Sequence, residues 1–142
     1  MKTPLHILQL EHDRNDARLV QTALETDGIA CTAERVENRA DFVKALERGK
    51  VDLILYDHSL SAFDGLSALE LARTKWPAIP FIVMSGTPGE ESALELLKHG
   101  ATDYVLKQQP SRIVSAVRRA MQEVEARAEC QRLEEQLIES QK

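Results

Sequence analysis

The sequence predicts an α/β fold built on a parallel sheet, and three observations carry that expectation. Val51–Gly65 (VDLILYDHSLSAFDG) contains an uninterrupted apolar run, Leu53-Ile54-Leu55-Tyr56, which ends in the carboxylate of Asp57 and a loop closed by Asp64-Gly65. Phe81-Ile82-Val83-Met84 is a second such run, ending at Ser85-Gly86. Short apolar runs bounded by polar residues fit strands covered on both faces, as strands of a parallel sheet are. Third, strand-like segments alternate five times with segments of helical period, with short connections, which is the pattern of a sheet sandwiched between helices.

Taken in order, Leu5–Leu10 (LHILQL) is the first strand, followed at once by the polar cluster Glu11-His12-Asp13-Arg14-Asn15-Asp16. Ala17, Leu19, Val20, Ala23 and Leu24 recur at helical spacing up to the stop signal Asp27-Gly28. Residues 30–36 alternate and are more polar, which places that strand near an edge. Asn38 caps a helix carrying Phe42, Val43 and Leu46 and ended by Gly49. Leu66, Leu69, Leu71 and Ala72 mark the helix after the Asp57 loop, and Trp76-Pro77 lies beyond its end. Pro88-Gly89 loosens the connection to a helix of Ala93, Leu94, Leu96 and Leu97, stopped at His99-Gly100. Residues 103–106 form a fifth strand ending at Lys107, and Pro110 suits the first turn of a last helix.

The last segment differs from the rest. From Ser111 to Lys142 there is no Gly or Pro and most residues are strong helix formers, enough for a rod of roughly 48 Å. Val114, Val117, Met121, Val124 and Ala128 alternate steps of three and four, as a coiled-coil seam does, and Cys130, Leu133 and Leu137 resume the pattern out of phase. We therefore expect a domain over residues 1–125 and a helical, coiled-coil linker over 126–142 that leads to a downstream domain.

Bulk properties narrow the class. A chain of 142 residues suits one domain with a full core, and 43% hydrophobic with 29% charged residues is ordinary for a globular protein. A net charge of −5 with mixed signs argues against nucleic-acid binding. No apolar run nears the roughly 20 residues of a membrane span, and the N-terminus lacks the apolar core of a signal peptide. The two cysteines, Cys31 and Cys130, match no metal or redox spacing and read as reduced thiols of a cytoplasmic protein.

Polar groups gather where the strands end. Glu11, His12 and Asp13 follow the first strand, Asp57 the third, Ser85 the fourth and Lys107 the fifth, and in a doubly wound sheet these ends converge on one crevice. Acids that hold Mg²⁺, a carboxylate nucleophile, and a hydroxyl and a lysine for phosphoryl oxygens are the parts of phosphoryl transfer. An Asp at such a place also serves as a plain turn or helix cap.

Residues 4–125 resemble a response-regulator receiver domain through HILQLEHD, DLILYDHSLSAFDG, FIVMSG and GATDYVLK, in that family's order and spacing. The resemblance implies a flavodoxin-like (βα)5 doubly wound parallel sheet of strand order 2-1-3-4-5. It makes Asp57 the phosphoryl acceptor, Ser85 the switch hydroxyl, Lys107 the phosphate-pairing lysine and Tyr104 the aromatic switch. Glu11, Asp57 and the backbone carbonyl of Ser59 would bind Mg²⁺, with His12 or Asp13 as further candidates. Such a module is not a conventional enzyme: it catalyses phosphoryl transfer to, and loss from, its own aspartate.

Two positions depart from the family. His12 stands where a second acid usually coordinates Mg²⁺, and imidazole suits transition metals better. Gln108 stands where Pro usually follows the lysine, which removes the expectation of a cis peptide there.

Two readings of His12 stay open, a loop residue or a metal or cofactor ligand. A cobalamin loop (Asp-x-His-x-x-Gly) is excluded by Leu10 and Asn15, and a haloacid-type hydrolase (Asp-x-Asp) by Ser59. His58 and His99 read as exposed, and His6 as a surface strand residue.

The segment RLEEQLIESQK is similar to the linker before the dimerising helices of histidine kinases. The expected function is a phospho-accepting module of a two-component phosphorelay, charged by a histidine kinase or histidine phosphotransfer protein. It would signal through its α4-β5-α5 face and final helix to a downstream kinase or output domain, with a homodimer as one arrangement. The rival is a degenerate receiver that pairs proteins without phosphorylation. A flavodoxin-like nucleotide-binding enzyme is disfavoured because EHDRND is acidic where a phosphate loop would lie.

Overall fold

A computed structural model describes residues 4–140. Strands and helices alternate throughout: β1 (Leu5–Leu10), α1 (Arg14–Thr26), β2 (Cys31–Val36), α2 (Arg39–Glu47), β3 (Leu53–Asp57), α3 (Gly65–Lys75), β4 (Phe81–Ser85), α4 (Glu91–Lys98), β5 (Asp103–Leu106) and α5 (Pro110–Ser140). The five strands are all parallel, in the order β2-β1-β3-β4-β5, as the resemblance implied. The polar segment expected at an edge is the edge strand β2.

Every residue of β3 and of β4 is buried, which explains their unbroken apolar sequences. The period of two sorts their side chains into two cores. Ile54, Tyr56, Phe81 and Val83 pack with Phe42, Leu46, Leu69 and Leu96 of α2, α3 and α4. Leu53, Leu55, Ile82 and Met84 pack with Val20, Leu24, Ile113 and Val117 of α1 and α5.

Side-chain caps set the helix starts: Asp13 accepts from the backbone N–H groups of Asn15 and Asp16, Asn38 from that of Asp41, and Asp64 from that of Ser67. Gly65, first in α3, is needed for close approach: a Cβ there would meet Tyr56 Cε2 at 2.9 Å and Leu96 Cδ1 at 3.0 Å. Among the described residues no peptide is cis, in keeping with Gln108 after Lys107.

α5 divides in two. Ile113, Val114, Ala116, Val117 and Ala120 are buried against the sheet, and Met121 packs at the margin of the same core. The spacing read as the start of a coiled-coil seam at Val114, Val117 and Met121 is thus the face that docks α5 on its own domain. Beyond Val124 the helix runs on exposed, with Leu133, Leu137 and Ile138 each more than half accessible. No helix among the described residues is long and apolar enough to cross a membrane.

Candidate functional site

Strand register brings the polar groups together. Leu10 pairs with Tyr56, so Glu11 arrives beside Asp57; Asp57 pairs with Met84, and Ser85 with Leu106, so Lys107 follows one step on. The Glu11, Asp57 and Ser85 side chains all lie beneath the surface.

Lys107 is the centre of the cluster. Its Nζ donates to Asp16 Oδ2 at 2.6 Å and to Asp57 Oδ2 at 3.0 Å, and lies 3.1 Å from Glu11 Oε1. The Glu11 contact is an ion pair without hydrogen-bond alignment, since this buried oxygen has no hydrogen-bond partner. Asp57 Oδ2 also accepts from Ser59 Oγ (2.9 Å), and Oδ1 accepts from the Ser59 N–H (3.0 Å). Asp16 is a member that sequence reasoning missed; its only signal is its place in the first turn of α1, facing the crevice.

The protonation pattern follows from crowding. Burial, then hydrogen bonding and repulsion from Asp57, push the Glu11 carboxyl up to about 7. Burial opposes ionisation of Asp57 as well. Hydrogen bonds from Glu11, from Ser59 and from Lys107 outweigh it and hold Asp57 below the ordinary carboxylate range. Burial also opposes the charge of Lys107, but its bonds to Asp16, Asp57 and Glu11 win and push its ammonium group above the usual lysine value. With all groups ionised, three carboxylates face one ammonium, an excess of negative charge that a divalent cation would neutralise.

The candidate metal ligands separate. Atoms of Glu11, His12 and Asp57 all come within 4.8 Å of one another. Asp13 turns the other way, its Oδ1 taken by the α1 cap. The exposed His12 places Nδ1 at 3.6 Å from Glu11 Oε2 and 3.7 Å from Asp57 Oδ2.

The β4–α4 loop forms a second cluster. Ser85 Oγ has two acceptors, Glu90 Oε2 at 2.9 Å and the Thr87 carbonyl at 3.1 Å, and itself accepts from the Thr87 N–H. Glu90 occupies the N-cap position of α4 but makes no side-chain cap bond, its carboxylate being directed to Ser85 and to His58 Nδ1 at 3.1 Å. His58 Nε2 lies 2.8 Å from Ser92 Oγ. The ring is only 17% accessible, which corrects the expectation that His58 is exposed. The Tyr104 hydroxyl donates to the Thr87 carbonyl at 3.1 Å, and Gln108 Nε2 donates to the carbonyl of Gly86.

Fold and site together define a phosphoryl-transfer-type signalling module, and the family follows from the sequence match. The profile of the response regulator receiver domain matches residues 7–118, and the chain belongs to that family. Curated relatives include the DNA-binding transcriptional regulator NtrC of Proteus hauseri, 29% identical over 98 residues, covering 69% of this chain and 20% of that protein. The transcriptional regulatory protein ZraR of Klebsiella oxytoca is 34% identical over 104 residues, covering 71% of this chain and 22% of its own length. The chain thus spans about a fifth of the relatives it matches. Among solved structures, NtrX from Brucella abortus superposes with a TM-score of 0.80 at 21% identity over 93% of this chain and 30% of that one. A CheY-like receiver domain protein from Methanospirillum hungatei superposes at 0.74 and 22% identity over 88% of this chain and 99% of that one.

Proposed function

We propose that the domain accepts a phosphoryl group on Asp57 from a histidine kinase or histidine phosphotransfer protein. The carrying observation is the buried Asp57, held ionised and in contact with Lys107 at 3.0 Å at the carboxyl end of the central strand. A carboxylate oxygen attacks phosphorus, the new O–P bond forming as the bond from phosphorus to the donor nitrogen or oxygen breaks. Lys107 pairs with the incoming phosphoryl oxygens, and Asp16 keeps its ammonium in place. A divalent cation such as Mg²⁺, held by Glu11, Asp57 and the Ser59 carbonyl, supplies charge neutralisation.

In this reading Ser85 leaves Glu90 for the phosphoryl oxygens, and Tyr104 releases Thr87 and reorients. The face of α4, β5 and α5, where Leu94 and Leu97 are already partly exposed, then changes partners. The intact Asp57, Ser85 and Lys107 set weighs against a degenerate, phosphorylation-independent module. Residues 126–142 act as a helical linker that pairs with a second copy or passes the change to a downstream kinase or output domain in the cytoplasm. Its support is the run of exposed apolar residues at Leu133, Leu137 and Ile138.

Intact-mass spectrometry after incubation with acetyl phosphate and a divalent cation is the direct test. We expect a gain of one phosphoryl group (about 80 Da) that vanishes in Asp57→Ala; no gain in the wild type sinks the reading. Light scattering on the full chain and on a chain ending at residue 125 tests the linker, equal protomer counts in solution being the adverse result.

A further inference from the structure

The donor set of the site departs from what Mg²⁺ selects. Mg²⁺ asks for an octahedron of oxygens and keeps much of its water, whereas imidazole nitrogen favours the later first-row metals. Here an imidazole hangs directly over the two buried carboxylates. Its Nδ1 lies 3.6 Å from Glu11 Oε2 and 3.7 Å from Asp57 Oδ2, too far for hydrogen bonds. Those spacings are close to the about 3.4 Å edge of a tetrahedral shell whose ligands stand about 2.1 Å from the ion. Three atoms so placed close on a small cation with shifts of a few tenths of an ångström.

Two further observations point to a missing ligand. Glu11 is fully buried, yet its Oε1 makes no hydrogen bond. The His12 ring likewise has no hydrogen-bond partner among the described residues, although it leans over the crevice from an exposed position. Lys107 does not block the site, because its shortest contact is with Asp16 at 2.6 Å, outside the three-residue set. That pairing holds the ammonium when a cation takes its share of Asp57.

We propose that Glu11, His12 and Asp57 form a mixed oxygen–nitrogen site selective for a transition-metal dication of the Co²⁺ type over Mg²⁺, with His12 Nδ1 as a direct ligand. The use of that ion in phosphoryl transfer rests on the aspartyl-phosphate reading, while its binding does not. His12→Asp restores an all-oxygen set and inverts the preference.

Calorimetric titration of the full chain with Co²⁺ and with Mg²⁺, without phosphodonor, decides the matter, with the visible absorption of Co²⁺ reporting nitrogen ligation. For the wild type we expect tighter binding of Co²⁺ than of Mg²⁺. His12→Asp should weaken Co²⁺ on the order of ten-fold or more, as loss of one metal contact does, strengthen Mg²⁺, and change the Co²⁺ band. Asp57→Asn, isosteric and so safe for the fold, should abolish tight Co²⁺ binding. Co²⁺ affinity unchanged in His12→Asp, or retained in Asp57→Asn, overturns the proposal by placing the ion on other histidines. An intact Co²⁺ titration in a chain that gains no phosphoryl mass removes the acceptor reading alone, and the reverse pair of results removes the metal proposal alone.

Discussion

The two polar clusters at the carboxyl edge of the sheet are built on opposite principles. Around Lys107, three carboxylates crowd one ammonium, with Asp57 already in contact with it. Around Ser85, the hydroxyl that the family uses as a switch is held by Glu90 and Thr87, and Glu90 is in turn held by His58. The acceptor half is assembled and electrostatically strained, and the switch half is relaxed and tied elsewhere. A receiver that worked by one rigid pocket would need neither difference. The contrast places the energy for switching in excess charge near Asp57 and the resistance to it in a few ordinary hydrogen bonds beside α4.

The contrast breaks most severely at its cation. Lys107→Met leaves Glu11, Asp16 and Asp57 facing one another, and we expect the rate of phosphorylation by acetyl phosphate to fall on the order of a hundred-fold, the usual effect of losing one preorganised charge donor. A rate within a factor of three of wild type, followed by intact mass, would detach Lys107 from the chemistry.

Glu11 sharpens the same half through pH. Its folded value of about 7 stands above the ordinary 4.5, so between those values the native state binds more protons than the unfolded chain. Stability therefore falls as pH rises through that window. In EDTA, urea unfolding at pH 5 and pH 8 should show the wild type losing roughly 1–3 kcal/mol relative to Glu11→Gln. Parallel curves for the two proteins would show that Glu11 is not strained.

The switch half yields the smallest effect. Glu90→Ala frees Ser85 and His58 of a shared acceptor worth about 1 kcal/mol, so acetyl phosphate should label Asp57 about two- to five-fold faster. An unchanged rate would mean that the tie at Ser85 is not what holds the resting state.

The two halves were also unequally legible. Asp57, Ser85 and Lys107 could be read because each follows an apolar run, and β3 and β4 are apolar because helices cover both their faces. Asp16 escaped because it meets Lys107 across 91 positions of sequence, and nothing within α1 distinguishes it from a solvent-facing acid. Glu90 and His58 escaped for a related reason. A Glu ahead of a helix reads as surface charge, and only the fold of the β4–α4 loop turns it onto Ser85. In α5 the spacing was legible but its use was not, since a helix docked on a sheet and a helix paired in a coil both present apolar residues every three to four positions.

The unbroken run of α5 past the domain has a mechanical consequence. From Val124 to Ser140 the helix continues without Gly or Pro, extending about 24 Å beyond its anchored stretch. A tilt of about 10° at its base, where Ile113 and Val117 seat against β5 and its neighbours, carries the far end about 4 Å sideways. A displacement too small to register among packed side chains thus becomes, at the tip of a stiff lever, as large as the spacing between neighbouring strands.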